Sequence, residues 1–267
     1  RRRHTRYGTV TGVQTCALPI SRHADTPGRV VGPAGNPGTP EGAQLLHAVS
    51  GRGQAGEKRG FENLLGATFE QARAKGLIDP KPEAAIDATG LETHHASAHY
   101  GRRGGGPQRS VITHEAWPKL TAVFHTTSHL IAGAVTCRGP SQDSPQFEEA
   151  MRSAAAHLRP VRLLADKGYD AEHNHRLCRK ELGVKTTAIA LNPRAQGRRW
   201  PATPYRRLMK TCFPKRKYRQ RCQAESGFSR HKRRLGSALS AKREDRQYNE
   251  LRMRVLTHNL MLLGAHA

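Results

Sequence analysis

The chain has 267 residues and carries 45 Lys or Arg against 21 Asp or Glu, which gives a formal net charge of +24. This length suits one large domain or one domain with appendages, and the charge favours a polyanionic partner. No apolar run approaches the roughly 18 residues that a membrane span needs. Five scattered cysteines without a C-x-x-C motif indicate reduced cytoplasmic thiols rather than a disulfide framework or a zinc site.

The first 80 residues are predicted to precede the main domain. Residues 1–21 contain the run VTGVQTCALPIS, which resembles the in-frame translation of a sequencing adapter, so we expect an assembly artefact in place of the natural start. Residues 22–60 are rich in Gly, Pro, Ala and Arg, as is typical of a linker or a disordered segment. In residues 61–80, apolar residues at helical spacing before Gly76 predict a short helix.

From residue 81 to the end, apolar runs predict strands and helical periodicity predicts the helices between them. In chain order we expect strand 84–88, a hairpin of strands 120–125 and 130–137, helix 146–158, strand 161–165, helix 170–182, strand 184–191, and helices 217–235 and 243–263. This order predicts an α/β domain with helices layered on a sheet.

A strongly cationic segment separates the last predicted strand from the final helix. Residues 191–234 hold fifteen Lys or Arg and a single acidic residue, Glu225. Such a density of positive charge suits nucleic-acid phosphates, since each neutralised phosphate releases counterions. An anionic membrane surface is a weaker alternative, because no long basic helix has an aromatic apolar face.

Three carboxylates stand out by their context. Asp87 interrupts an apolar strand, Asp166 follows another, and Glu225 lies among arginines on a predicted helix. A carboxylate in an apolar strand is costly unless it is paired or binds a metal. Three carboxylates that meet at strand ends could hold Mg²⁺, which takes oxygen ligands, and paired ions of this kind assist phosphoryl transfer. Asp170 is a rival to Asp166, although its position favours a helix N-cap.

The helix around Glu225 has one distinctive face. Tyr218, Arg221, Glu225 and Lys232 fall within about 60° of each other at roughly 100° per residue. This face could offer a metal ligand flanked by phosphate-binding groups. Taken alone, however, the pattern favours a solvated surface with an Arg221–Glu225 pair worth at most about 0.5 kcal/mol.

The spacing Tyr218-x2-Arg221-x3-Glu225-x6-Lys232 resembles the YREK signature of bacterial insertion-sequence transposases of the DDE class. The segments AIDATG and LLADKGYDAE are similar to those that carry the first and second aspartates of that family, and the likeness covers about residues 80–264. The resemblance implies a ribonuclease H-like mixed sheet flanked by helices, with a short basic insertion before the last catalytic helix and a C-terminal helix. Residues 81–267 would then form the catalytic domain, and residues 61–80 a remnant of an N-terminal region.

The same resemblance implies the chemistry. Asp87, Asp166 and Glu225 would be the catalytic triad and bind Mg²⁺, for which Mn²⁺ can substitute. Tyr218, Arg221 and Lys232 would contact the DNA backbone at the transposon end. Double-stranded DNA would be both substrate and target, a homodimer could assemble on paired ends, and the protein would act at the nucleoid in the bacterial cytoplasm.

Further DNA contacts are expected in the basic insertion and beside the second aspartate. Trp200 could stack on an unpaired base, or it could simply pack on the domain. Its neighbours Arg198 and Arg199, and also Lys167, are candidate phosphate contacts, although Lys167 could equally be only exposed. A loop with His94, His95 and His99 could suggest a metal site, but a polar loop is the favoured interpretation.

Two other functions stay open at this stage. The chain could be a truncated, inactive or domesticated transposase that acts only as a nucleic-acid-binding protein. It could also be a ribonuclease H-type nuclease that shares the metal site but does not transfer strands.

Overall fold

The computed structural model describes residues 54–93, 117–192 and 200–265. Its centre is a five-stranded sheet in the order β4-β3-β1-β5-β6. These strands are β1 (Glu83–Gly90), β3 (Pro118–His125), β4 (Ile131–Arg138), β5 (Arg162–Ala165) and β6 (Thr186–Ile189). A second, two-stranded sheet pairs β2 (Glu92–Thr93) with β7 (Ala238–Leu239).

The described helices connect and cover these strands. They are α1 (Gln54–Ala74), α2 (Ser144–His157), α3 (Glu172–Arg176), α4 (Pro204–Thr211), α5 (Lys215–Tyr218), α6 (Cys222–Leu235) and α7 (Glu244–Gly264). A π turn at Leu177–Glu181 extends α3, and a 3₁₀ turn at Arg219–Arg221 joins α5 to α6. No helix in the described ranges is long and apolar enough to cross a membrane.

The main sheet is mixed. Strand β1 pairs antiparallel with β3 and parallel with β5, while β3 pairs antiparallel with β4 and β5 parallel with β6. Strands β3 and β4 form the predicted hairpin, whose turn ends at His129 with a φ of 63°. The predicted α/β class, with a mixed sheet flanked by helices, is therefore confirmed.

Two apolar clusters bury the two faces of the sheet, because successive side chains on a strand point to opposite sides. Ile86, Val123 and Leu163 pack with α2 and the π turn Leu177–Glu181 on one face. Their chain neighbours Ala85, Phe124 and Leu164 pack with α6 and α7 on the other. Every residue of β3 is buried, as expected for a central strand covered on both sides.

Helix α1 is longer than predicted. We expected linker up to residue 60, but residues 54–60 are already helical. Their glycines lower the helix propensity, and tertiary packing overrides this weak local preference. Phe61 and Leu65 enter the cluster under α6 and α7, whereas Phe69 enters the opposite cluster. Helix α1 is therefore an integral part of the fold, and it contacts the edge strand β4 as well as α7.

The largest differences from the sequence predictions lie in the second half of the chain. The predicted helix 170–182 starts at Glu172 and ends in the π turn. Asp170 lies outside the helix, where its carboxylate binds Arg206. Helix α4 within the basic insertion was not predicted. The predicted adapter segment, the histidine-rich loop and the arginines Arg198 and Arg199 lie outside the described residues.

Candidate active site

The two predicted aspartate ligands lie at the same level of two neighbouring parallel strands, Asp87 within β1 and Asp166 directly after β5. Ile86 pairs with Ala165 in the register of β1 and β5, so Asp87 is the next residue of β1 and Asp166 is the first residue after β5. Adjacent strands lie about 4.8 Å apart, and residues in register share a face. Because Asp87 follows Ile86, it points to the side of the sheet that α6 covers.

Local hydrogen bonds fix the two carboxylates. Asp166 accepts a hydrogen bond from the backbone N–H of Lys167 at 2.7 Å and so caps a 3₁₀ turn that begins there. Asp87 accepts one from the N–H of Ala88 at 2.9 Å. Each carboxylate keeps oxygen lone pairs for another partner.

Helix α6 brings Glu225 to the same face. Ala224, Gly227 and Phe228 form its buried stripe, and Phe228 packs edge-to-face on Phe124 of β3 with ring centroids 4.9 Å apart. A Cβ on Gly227 would lie 2.6 Å from the Phe124 ring, so glycine permits this close approach. Glu225 lies beside the stripe, and its side chain is 55 % exposed.

Arg221 links Glu225 to Asp87. Its guanidinium donates a hydrogen bond through Nη2 to Oε1 of Glu225, and Nη1 lies 3.8 Å from Oδ2 of Asp87. The Arg221 side chain is only 20 % exposed. The guanidinium therefore lies between two of the three predicted metal ligands.

The three carboxylates interact electrostatically. Burial raises the pKa of Asp87 above its ordinary value, and the negative charges of Glu225 and Asp166 raise that pKa further. The N–H of Ala88 and the charge of Arg221 oppose this rise. All three acids are therefore close enough to interact electrostatically, and we call this group one electrostatic neighbourhood.

Tyr218 belongs to the same neighbourhood. Its ring packs against Phe213, with centroids 4.8 Å apart, and against the apolar cluster under α6. Burial raises the pKa of its phenol, and Asp166, Asp87 and Glu225 each contribute in the same direction. The hydroxyl is therefore a neutral hydrogen-bonding group beside the carboxylates at physiological pH.

The sequence profile of the family described as "Transposase DDE domain" matches residues 79–260. The match runs from just before β1 almost to the end of α7 and includes all three carboxylates. The chain belongs to this DDE transposase family. No individual curated protein gives a significant match.

In this DDE domain, Lys232 contacts the backbone of β1 and is not among the contacts of Arg221 with Glu225 and Asp87. Its Nζ donates a hydrogen bond to the carbonyl oxygen of Gly90, at 2.9 Å. Glu225 and Lys232 are about 10.5 Å apart along the helix axis, and Asp87 and Gly90 are about 10 Å apart along β1. The helix and the strand therefore run side by side with matched spacing.

The remaining predicted DNA contacts lie on the surface. Lys167 is exposed next to Asp166, and Trp200 is 62 % exposed just before α4. Trp200 therefore does not pack into the domain core. Among the described residues, neither side chain takes part in the contacts of Arg221 with Asp87 and Glu225.

Asp170 has a role that the sequence did not reveal. The N-cap residue of α3 is Ala171 rather than Asp170. The Asp170 carboxylate is fully buried and accepts two hydrogen bonds from Arg206 of α4, at 2.8 and 2.9 Å, and one from the N–H of Asn192. Asp170 therefore anchors the basic insertion, since its carboxylate is engaged by Arg206 and by the chain at Asn192.

Tyr169 is a second group that sequence reasoning missed. Its side chain is fully buried, and burial raises the pKa of its phenol, with Asp143, Asp87 and Asp166 adding to the rise. It lies three residues after Asp166 in the segment LLADKGYDAE. An aromatic residue so close to the end of a predicted strand could have been predicted to be buried in the core.

The donor set of the DDE domain fits a divalent cation. Asp87, Asp166 and Glu225 offer only carboxylate oxygens, which hard cations such as Mg²⁺ prefer. Within the described ranges, however, no three acidic, His or Cys side chains converge as a ready-made metal group. Arg221 contacts Glu225 and lies beside Asp87, so its guanidinium is close to two of these three carboxylates.

Proposed function

We propose that this DDE domain is the catalytic domain of a DNA transposase, with Asp87, Asp166 and Glu225 as ligands of Mg²⁺, for which Mn²⁺ can substitute. The observation that carries the proposal is the juxtaposition of Asp87 and Asp166 on neighbouring parallel strands, with Glu225 joined to Asp87 through Arg221. The family match supports a transposase-type activity.

The reaction we propose has two phosphoryl-transfer steps. In the first, a water oxygen bonds to a phosphorus at the element end, the P–O3′ bond breaks, and a 3′-hydroxyl is freed. In the second, that hydroxyl attacks a target phosphodiester and displaces the target's own 3′-oxygen. Bound divalent ions would stabilise the charge on the attacking and leaving oxygens.

The residues of the chain bind and orient the DNA in this scheme. Tyr218 can donate a hydrogen bond to a phosphate oxygen beside the carboxylates, and the exposed Lys167 can neutralise a neighbouring phosphate. Trp200 is exposed and free to stack on an unpaired base. No protein nucleophile is required, since water and the 3′-hydroxyl supply both attacking oxygens.

The partner in this proposal is double-stranded DNA, at the transposon ends and at the target, within the bacterial cytoplasm and nucleoid. The fifteen Lys or Arg of residues 191–234 supply the charge for backbone binding. Pairing of two ends would be accomplished by a homodimer. Binding should weaken steeply with salt, with a slope of about 0.9 per neutralised phosphate.

A plasmid assay tests the proposal. Wild-type protein with Mn²⁺ should convert supercoiled plasmid to nicked, linear or joined products, and chelation by EDTA should stop the reaction. Glu225→Gln and Asp87→Asn should abolish the products while filter binding to the same plasmid survives. Glu70→Gln, which alters an exposed acid of α1, is the matched control.

The possible outcomes separate the candidate functions. Full cleavage by Glu225→Gln would refute the triad. Cleavage without joined products would favour a ribonuclease H-type nuclease, and DNA binding without cleavage by the wild type would favour a binding protein that has lost its activity.

A further inference from the structure

Arg221 occupies the position at which two of the predicted ligands would have to meet. It donates a hydrogen bond to Glu225 and lies 3.8 Å from Asp87. Its side chain is 20 % exposed, whereas that of Glu225 is 55 % exposed. The arginine is therefore the inner, more enclosed member of the pair, and Glu225 is the outer one.

A cation is needed at this point because like charges are crowded together. Three carboxylates in one electrostatic neighbourhood repel one another, and repulsion of this kind is relieved by a positive charge within about 4–6 Å. Arg221 supplies one such charge from the protein itself. A guanidinium and a divalent cation would compete for the same oxygens of Asp87 and Glu225.

Arg221 could also bind a phosphate group of DNA in place of a carboxylate. The planar fork of a guanidinium pairs with phosphate as readily as with carboxylate. The residue lies in the 3₁₀ turn between α5 and α6, and a 3₁₀ stretch within a longer helix is a common place for local adjustment. The exposed Lys215, Arg216 and Lys217 of α5 adjoin this turn and add to the attraction for a DNA backbone.

We propose that Arg221 is a built-in counter-ion that exchanges its carboxylate partners for a DNA phosphate. Phosphate binding then releases Glu225 and Asp87 to share a divalent cation, so DNA and metal promote each other's binding. This inference rests on the proposed function, since it takes the three carboxylates as the metal ligands. It makes Arg221 a positioning residue, which acts through Glu225 and Asp87.

Reciprocal coupling gives the inference a measurable form. If DNA raises the affinity for metal by some factor, metal must raise the affinity for DNA by the same factor, and such factors are typically about 5- to 150-fold. Calcium is a suitable probe, because titration calorimetry can follow it without relying on cleavage. We expect the full chain to bind Ca²⁺ more tightly with a 30-base-pair duplex than without it.

Substitution of Arg221 should change that coupling in a characteristic way. Arg221→Gln should bind Ca²⁺ more tightly than wild type in the absence of DNA, and the duplex should then increase the affinity by less than about 2-fold. Arg221→Lys keeps the charge but loses the fork, so its coupling factor should fall between those of wild type and Arg221→Gln. This second variant keeps the test valid if the first fails to fold.

Arg219→Gln is the matched control for net charge. Arg219 is exposed in the same turn, so its removal should weaken DNA binding generally but leave the coupling factor at the wild-type value. Coupling factors for Arg221→Gln or Arg221→Lys equal to that of wild type would overturn the inference. A loss of coupling in Arg219→Gln as well would also overturn it, because the effect would then be a general one of charge.

A further pair of variants separates this inference from the proposed function. Asp87→Asn and Asp166→Asn should abolish Ca²⁺ binding with and without the duplex. If they do not, the proposed metal site itself is wrong. If they do while Arg221→Gln behaves as wild type, only the role of Arg221 is wrong.

Discussion

Lys232 donates a hydrogen bond to the carbonyl oxygen of Gly90 at 2.9 Å, which ties helix α6 to the strand that carries Asp87. The contact lies seven residues along the helix from Glu225 and three along the strand from Asp87. The distance from Glu225 to Lys232 along α6 nearly equals the distance from Asp87 to Gly90 along β1. The hydrogen bond therefore fixes the position of α6 along the direction of β1. It therefore helps to set the position of Glu225 relative to Asp87.

Lys232→Met should lower the free energy of unfolding by about 1–2 kcal/mol, because a partly exposed hydrogen bond from a charged donor is lost. Urea denaturation measures this change. Lys242→Met, which alters an exposed lysine outside the helix, should change stability little.

The salt dependence of DNA binding tests whether Lys232 also contacts phosphate, as the family resemblance implies. If Lys232 binds only the Gly90 carbonyl, Lys232→Met should leave the slope of log affinity against log salt unchanged. A slope shallower by about 0.9 would mean that one phosphate contact has been lost, and the purely structural role would then be wrong.

Asp170→Asn should destabilise the protein strongly. The substitution breaks a buried pair in which Arg206 is 15 % exposed and Asp170 is not exposed, and breaking such a pair from one side costs about 3–5 kcal/mol. Urea unfolding should record this loss. Protease digestion should also cleave first within the basic insertion, because Asp170 holds both α4 and the chain at Asn192.

A double-mutant cycle provides the control for this pair. Arg206→Met and the double variant Asp170→Asn/Arg206→Met should show a coupling energy of about 0.5–3 kcal/mol or more. Additive effects would contradict the anchoring role. In that case Asp170 would remain a rival to Asp166.

Local patterns in the sequence were sufficient to predict the five strands of the main sheet and the pairing partner of Glu225, but not the short strands β2 and β7. Apolar runs marked β1 and β5, and the i,i+4 spacing of Arg221 and Glu225 indicated their contact. The contact of Arg221 with Asp87 was not predictable in this way, since it joins residues that are distant in sequence. The same holds for Asp170 with Arg206 and for Lys232 with Gly90.

Acid should destabilise the protein through two buried histidines, His231 of α6 and His258 of α7. The rings of His231 and His258 lie 5.7 Å apart, and burial lowers the pKa of each to about 4 from an ordinary value of 6.5. Between pH 6.5 and 4 the unfolded chain binds protons that the folded chain does not. Stability is therefore intact above pH 6.5 and falls as the pH drops through this window.

His231→Phe should flatten this dependence. Neither ring nitrogen of His231 has a hydrogen-bond partner among the described residues, so Phe removes the titration without breaking a bond. The slope of unfolding free energy against pH should fall by about 1.4 kcal/mol per pH unit within the window. An unchanged slope would mean that His231 titrates alike in the folded and unfolded chains.

Gly227→Ala should displace Glu225 without touching a carboxylate. The added methyl would lie 2.6 Å from the Phe124 ring, and overpacking of this kind costs about 1–3 kcal/mol. Because the Phe124 ring is fully buried and has little room to yield, we expect α6 to move off the sheet and to carry Glu225 and Arg221 away from Asp87. We expect lower stability in urea together with weaker Ca²⁺ binding in the presence of DNA.

Gly264→Ala separates this effect from the general consequence of adding a methyl to a helix. Gly264 ends α7, and a Cβ there would meet nothing within 4 Å. The substitution should leave Ca²⁺ binding unchanged and stability equal or higher by up to about 1 kcal/mol. If Gly227→Ala matches this control in both measurements, the close approach of α6 to β3 does not position Glu225.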